Sequence, residues 1–229
     1  MTIAIMQPYF LPYIGYWQLI NAVNLFVIFD DVSFINKSFI NHNNILINCK
    51  KQQFTLELIK ASQNKIINTI MIGNNQEKLL KTIKMAYQKA PYFINIFPII
   101  EKILLQEEKN LSKFIRFSLE EISTYLGMDT QFIYSSDVNK NNDLKAQNKI
   151  IEICKKLKAT NYINPIGGQE LYNKKVFEYE NITLNFLKTD FIEYKQFKNE
   201  FIPHLSIIDI LMFNSIDKIK NMLEKYTLI

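Results

Sequence analysis

Short apolar runs alternate with helix-spaced stretches along most of this chain. Thr2-Ile3-Ala4-Ile5 is an unbroken apolar run that reads as a buried strand. Tyr16 to Val23 then has the composition of a helix, and Asn24 to Asp31 is a second apolar run that ends in two carboxylates. Strand, helix and strand within so short a span make a βαβ-like unit. That unit predicts an α/β fold with a mainly parallel sheet. The partial alternation from Phe34 to Asn48 suggests an asparagine-rich hairpin, and a strand is expected over Gln53 to Leu58 with a linker from Lys60 to Asn75.

Farther on, Leu79, Leu80, Ile83 and Tyr87 share one helical face between Glu77 and Ala90, and Pro91 ends that helix. Helices are expected over Phe93 to Lys109 and Leu111 to Leu126, with Gly127 as the C-terminal cap. The region 76–127 thus reads as a helical insertion or lid within a single domain over 1–229. The α/β pattern resumes with strands at Thr130 to Ser135, Asn161 to Asn164 and Ile182 to Leu187, and an edge strand over Phe191 to Phe197. A helix from an Asp143 cap to Lys158 lies among them, and Ser206 with Asp209 has the spacing of a capping box.

The first loop has the most chemistry. In Met6-Gln7-Pro8-Tyr9-Phe10-Leu11-Pro12-Tyr13-Ile14-Gly15-Tyr16-Trp17, two prolines stiffen the backbone and bias Gln7 and Leu11 toward extended geometry. Gly15 is free to take angles that other residues avoid. A strand-to-helix junction is where open α/β sheets bind ligands, with helix N–H groups available to an anion. The same aromatics would also serve as a core around a rigid turn.

Composition narrows the class. An apolar fraction of 48% supports a core, and 21% charged residues is not a disordered composition. The net charge of +5 and pI near 8.9 come from scattered lysines, compatible with phosphates, acidic sugars, membrane surfaces or RNA. No run of about 18 apolar residues occurs, and the N-terminus lacks a signal-peptide pattern, so a cytoplasmic location is expected. Cys49 and Cys154 form neither a disulfide framework nor a zinc motif, and Cys154 reads as an inert core thiol. Walker, HExxH and GxSxG motifs are absent.

The opening string resembles the start of the WbqC-like family of bacterial surface-polysaccharide proteins. The likeness continues through Phe26-Val27-Ile28-Phe29-Asp30-Asp31-Val32-Ser33-Phe34, Tyr87-Gln88-Lys89-Ala90-Pro91-Tyr92-Phe93, Tyr162-Ile163-Asn164-Pro165-Ile166-Gly167-Gly168 and Leu205-Ser206-Ile207-Ile208-Asp209. Phe39, His42, Asn44 and His204 depart from it, standing where that pattern usually has Trp, Arg, Arg and Trp. The resemblance implies an enzyme of O-antigen or capsule assembly that tailors a nucleotide-linked sugar. N-acyl or aminoacyl transfer to an amino sugar is the expected reaction, with an aminoacyl-tRNA as one candidate donor. Such a reaction needs a base and oxyanion donors. Asp30, Asp31, His204 and Asp209 are the candidate bases. Gln7, Asn41, Asn43, Gly167 and Gly168 are candidate donors, Lys37 a phosphate partner, and Tyr9, Phe10, Tyr16 and Tyr92 stacking surfaces. No cofactor and no protein metal site is expected, and a homo-oligomer is left open. A glycosyltransferase using magnesium or manganese at Asp30-Asp31, or a non-catalytic precursor-binding protein, are the alternatives.

Overall fold

The computed structural model describes residues 1–198 and 200–229. Strand β1 (Thr2–Met6) runs through the proline loop into α1 (Ile14–Asn21) and β2 (Leu25–Ile28). A hairpin of β3 (His42–Ile47) and β4 (Lys50–Thr55) follows, then a short ladder of β5 (Leu58–Ile59) and β6 (Met71–Ile72). Helices α2 (Gln76–Tyr87), α3 (Phe93–Leu104) and α4 (Leu111–Leu126) come next. The chain then returns to the sheet with β7 (Gln131–Tyr134), α5 (Ala146–Lys156), β8 (Asn161–Pro165), α6 (Lys174–Tyr179) and β9 (Thr183–Thr189). It closes with α7 (Ile207–Phe213), α8 (Ile216–Leu223) and β10 (Tyr226–Leu228).

Six strands form one sheet in the order β10-β9-β8-β1-β2-β7, all parallel except β10. Parallel strands covered on both faces are apolar on both faces, which is why β1 and β2 read as continuous runs. Alternate residues divide between two cores. Ala4, Phe26, Ile28 and Ile163 join the larger core with α1, the 76–127 helices, α7 and α8. Ile3, Ile5, Val27 and Tyr162 face the smaller core with Ile150, Ile153, Cys154 and Phe177 from α5 and α6. Phe114, Ile115, Ile100 and Tyr87 belong to that larger core. The helical region is therefore packed into the scaffold through apolar contacts common to the sheet. Burial pushes the Cys154 thiol up to about 12, as befits an inert core residue.

Several expectations are corrected. No strand forms over Phe191 to Phe197; there Gln196 donates to the Ile202 carbonyl and accepts from its N–H, in an irregular turn. The sheet edge is supplied by β10, with Tyr226 opposite Thr189. Asp143 does not cap α5, which begins at Ala146 after Lys145 without a side-chain cap. The strand expected at Gln53 to Leu58 instead runs from Lys50 to Thr55. Gly127, at φ +68°, is the left-handed cap that the sequence suggested. Gly15 lies inside α1 at ordinary helical angles. It is needed for close approach: a Cβ there would stand 2.7 Å from Thr189 Oγ1 and 2.9 Å from the Tyr13 ring.

Candidate functional site

The chain leaves β1 toward β2 and β7 on one side, and β8 toward β9 on the other. Chain direction across the sheet therefore reverses between β1 and β8, and a crevice opens at their carboxyl ends, as such sheets require. A cavity of about 450 Å³ lies there. Met6 from β1 and Gln7 just beyond it, Phe29 beyond β2, and Asn164 and Pro165 from β8 line it. Tyr9, Tyr13 and Phe39 stand on one flank, and Gly167, Gly168, Leu171 and Tyr172 on the other.

Local bonds hold this loop. Tyr16 donates its hydroxyl to the Gln7 carbonyl at 2.8 Å, and the Trp17 indole donates to the Pro12 carbonyl at 3.1 Å. Leu11 takes φ +46°, not the extended geometry expected before proline. Its carbonyl receives Asn43 Nδ2 at 2.8 Å and the Ser206 hydroxyl at 2.7 Å, while Ile207 N–H reaches the Pro12 carbonyl at 2.9 Å. Buried bonds to a distant segment thus override the local bias. Phe10 N–H donates to the Phe39 carbonyl at 3.0 Å, which hangs Phe39 beside Tyr9 and Tyr13, with ring centroids 5.8 Å and 5.9 Å away. Burial raises the Tyr9 and Tyr13 hydroxyls above their usual pKa, so both are neutral donors at physiological pH.

Gly168 is buried under Asn164, whose Nδ2 lies 2.1 Å from where a Cβ would be; Gly167 has open space at that position. The double glycine therefore combines one packing requirement with one open flank of the crevice. Asn164 is itself committed, accepting from Tyr162 at 3.0 Å and donating to the Pro165 carbonyl at 3.0 Å. Gln7 and the Tyr9 and Tyr13 hydroxyls form no side-chain bonds among the described residues, and are free for a ligand.

The aspartates at the end of β2 share this rim but face other partners. Asp30 is buried and accepts from Ser136 N–H at 3.0 Å, the Ser136 hydroxyl at 2.8 Å and Asn68 at 3.2 Å. Asp31 Oδ2 pairs with Lys140 at 2.9 Å and Lys149 at 3.1 Å, while its Oδ1 is buried with no partner in hydrogen-bond range. Burial pushes Asp31 up, but Lys140, Ser135 and Lys149 outweigh this and hold it below its ordinary value. The two carboxylates are thus spoken for and do not converge on one cation.

Asp209 is fully buried, far from a capping-box role. Tyr87 donates to its Oδ2 at 2.8 Å, and Tyr194 and Gln196 donate to Oδ1 at 2.7 Å each. Ser206 caps α7 through the Ile208 N–H, while its own N–H goes to the Asn44 carbonyl. His204 is exposed at φ +59°. Phe10 and Tyr16 are core residues, Asn41 donates to the Leu56 carbonyl, and Lys37 is exposed in a turn at φ +59°. Tyr92 precedes α3 and gives its N–H to Met212. Of the sequence candidates, the crevice gathers Gln7, Tyr9, Gly167 and Gly168.

Tyr13, Phe39, Asn164 and Tyr172 line the crevice and were not among the candidates. Tyr13 and Asn164 stand within the two loop strings and Tyr172 just beyond the second, so those strings were their available signal. Phe39 was marked only as an aromatic in an asparagine-rich stretch, at a position where the family pattern usually has Trp.

The fold and crevice place the chain among open, mostly parallel α/β proteins with a cleft at the reversal of strand order. Within that class it belongs to the WbqC-like protein family, whose pattern matches residues 7–221. It is similar to an uncharacterized protein of Mycobacterium tuberculosis, Rv1507c, with 29% identity over 214 residues, covering 91% of this chain and 92% of the relative. No solved structure matches it. No helix among the described residues is long and apolar enough to cross a membrane.

Proposed function

We propose that the crevice binds a nucleotide-linked sugar and that the protein tailors it for surface-polysaccharide assembly by N-acyl or aminoacyl transfer to an amino sugar. The observation that carries the binding reading is the cleft between β1 and β8. It presents aromatic faces and neutral hydrogen-bonding groups, with no charged side chain among its lining residues. Flat rings with the uncommitted Gln7 amide and the Tyr9 and Tyr13 hydroxyls suit a nucleobase or sugar ring. Family membership supports the pathway.

The same uncharged lining favours a second reading, a precursor-binding protein without catalysis, because the carboxylate bases suggested by the sequence are engaged elsewhere. Incubation with nucleotide-linked amino sugars and acyl or aminoacyl donors, read by mass spectrometry, separates the two. Transfer adds one acyl or aminoacyl mass to the sugar. Binding by calorimetry with no mass change supports the second reading, and release of free nucleoside diphosphate indicates glycosyl transfer. Tyr13→Ala with Phe39→Ala is expected to weaken nucleotide-sugar binding about tenfold or more, since ring stacking contributes roughly 1–3 kcal/mol per base. Unchanged affinity in that folded variant rejects the cleft as the site.

A further inference from the structure

The lysines are scattered, but their excess over carboxylates is not even along the chain. Between residues 32 and 75, Lys37, Lys50, Lys51, Lys60 and Lys65 stand against a single carboxylate, Glu57. All five lysines are exposed, and none forms an ion pair among the described residues. Glu57 is turned to the Asn74 N–H at 3.1 Å. Exposed aliphatic side chains stand among these lysines: Ile35, Ile59, Ile66 and Met71 are 41–49% exposed. Backbone pairing gathers these aliphatics with Lys37, Lys60 and Lys65 into one lobe, while Lys50 and Lys51 stand at the turn of the β3–β4 hairpin. Ile59 lies directly across from Met71, Ile66 bridges Ser33, and Phe34 N–H donates to the Lys65 carbonyl at 2.9 Å. Acidic neighbours Glu107 and Glu108 on the adjoining segment are offset by Lys109 and Lys113. The lobe continues into Phe39, on the flank of the crevice.

Aliphatic side chains interleaved with lysines match a lipid interface: the apolar groups enter the headgroup layer and the ammonium groups meet phosphates. An RNA surface would instead offer rings or guanidinium planes for stacking, and the one arginine of the chain, Arg116, lies outside the lobe over Tyr134. We propose that the lobe formed by residues 33–37 and 58–72 docks the protein on an anionic membrane surface, bringing the Phe39 flank of the crevice to the bilayer.

Co-sedimentation with phosphatidylcholine vesicles containing phosphatidylglycerol, beside phosphatidylcholine alone, tests this without any nucleotide sugar, so it succeeds or fails apart from the proposed reaction. The wild-type chain is expected to bind the anionic vesicles, less so at high salt, and not the neutral ones. Lys60→Glu with Lys65→Glu, and separately Ile59→Ser with Ile66→Ser, should each weaken binding at least about tenfold, given roughly fivefold per lysine near such a surface, with melting temperatures little changed. Absence of binding to anionic vesicles at low salt overturns the proposal, as does binding that neither variant reduces. Binding of unfractionated tRNA that is lost in the lysine variant alone, with vesicles ignored, also overturns it and assigns the lobe to RNA.

Discussion

Asp209→Ala is expected to lower the unfolding free energy by about 3–5 kcal/mol, measured by urea denaturation. Its carboxylate is the meeting point of Tyr87 from α2, Tyr194 and Gln196 from the irregular segment, and α7. The Tyr87 oxygen also accepts the Leu46 N–H of β3 at 2.9 Å. Removing the carboxylate leaves the buried Tyr87 hydroxyl and the half-buried Tyr194 hydroxyl without their acceptor, and leaves Gln196 with only the Ile202 carbonyl and a long contact to Tyr194. It also frees the segment that replaces the expected edge strand. Asp209→Asn should cost less, because one amide oxygen can still accept.

The pH dependence has a definite sign. Burial raises Asp209 above its ordinary 3.8, although Tyr194, Tyr87 and Gln196 each pull it down. The stabilising contribution of a raised carboxyl is full below its ordinary value and is lost as pH rises through the raised one. The stability advantage of wild type over Asp209→Asn should therefore shrink as pH rises above about 4. A gap that widens over that range contradicts the raised value.

The second large effect is at Asp31. Asp31→Ala should also cost about 3–5 kcal/mol, because it strands two ammonium groups, one of them, Lys140, only 1% exposed along its side chain. Lys140 also donates to the Ser135 carbonyl, and Lys149 to the Asp31 carbonyl at 3.3 Å, so loss of the carboxylate loosens the segment between β7 and α5. The opposite pH sign applies here. A depressed carboxyl contributes stability above its ordinary value and loses it as pH falls through the depressed one. The penalty of Asp31→Ala should therefore diminish in acid. Replacing Asp31, Lys140 and Lys149 together by Leu, Met and Met should be milder than Asp31→Ala alone, since no charge is then stranded. A triple variant less stable than the single one contradicts this account of the cluster.

Strands β1 and β2 were legible because parallel strands covered on both faces leave unbroken apolar runs, whereas the edge strand β10 was missed. The amphipathic α2 and the Gly127 cap were legible because their cause is local. The crevice was half legible: the proline loop and the Gly167-Gly168 bend mark strand ends, and both reach it. What failed was anything set by distant partners. Asp209 looked like a cap or base because Tyr87, far back in the chain, is what commits it. Asp30 and Asp31 looked like a pair because Ser136, Asn68, Lys140 and Lys149 give no sequence sign of docking there. Gly15 invited a dihedral explanation, while its real constraint is Thr189, brought against it only by the sheet.

Hydrogen exchange read by mass spectrometry, with and without a bound nucleotide-linked sugar, tests the central claim most directly. The crevice account predicts slowed exchange in peptides covering residues 6–17 and 164–173, with the β3–β4 hairpin tip unchanged. Binding that leaves both of those segments unprotected and slows exchange elsewhere would contradict it.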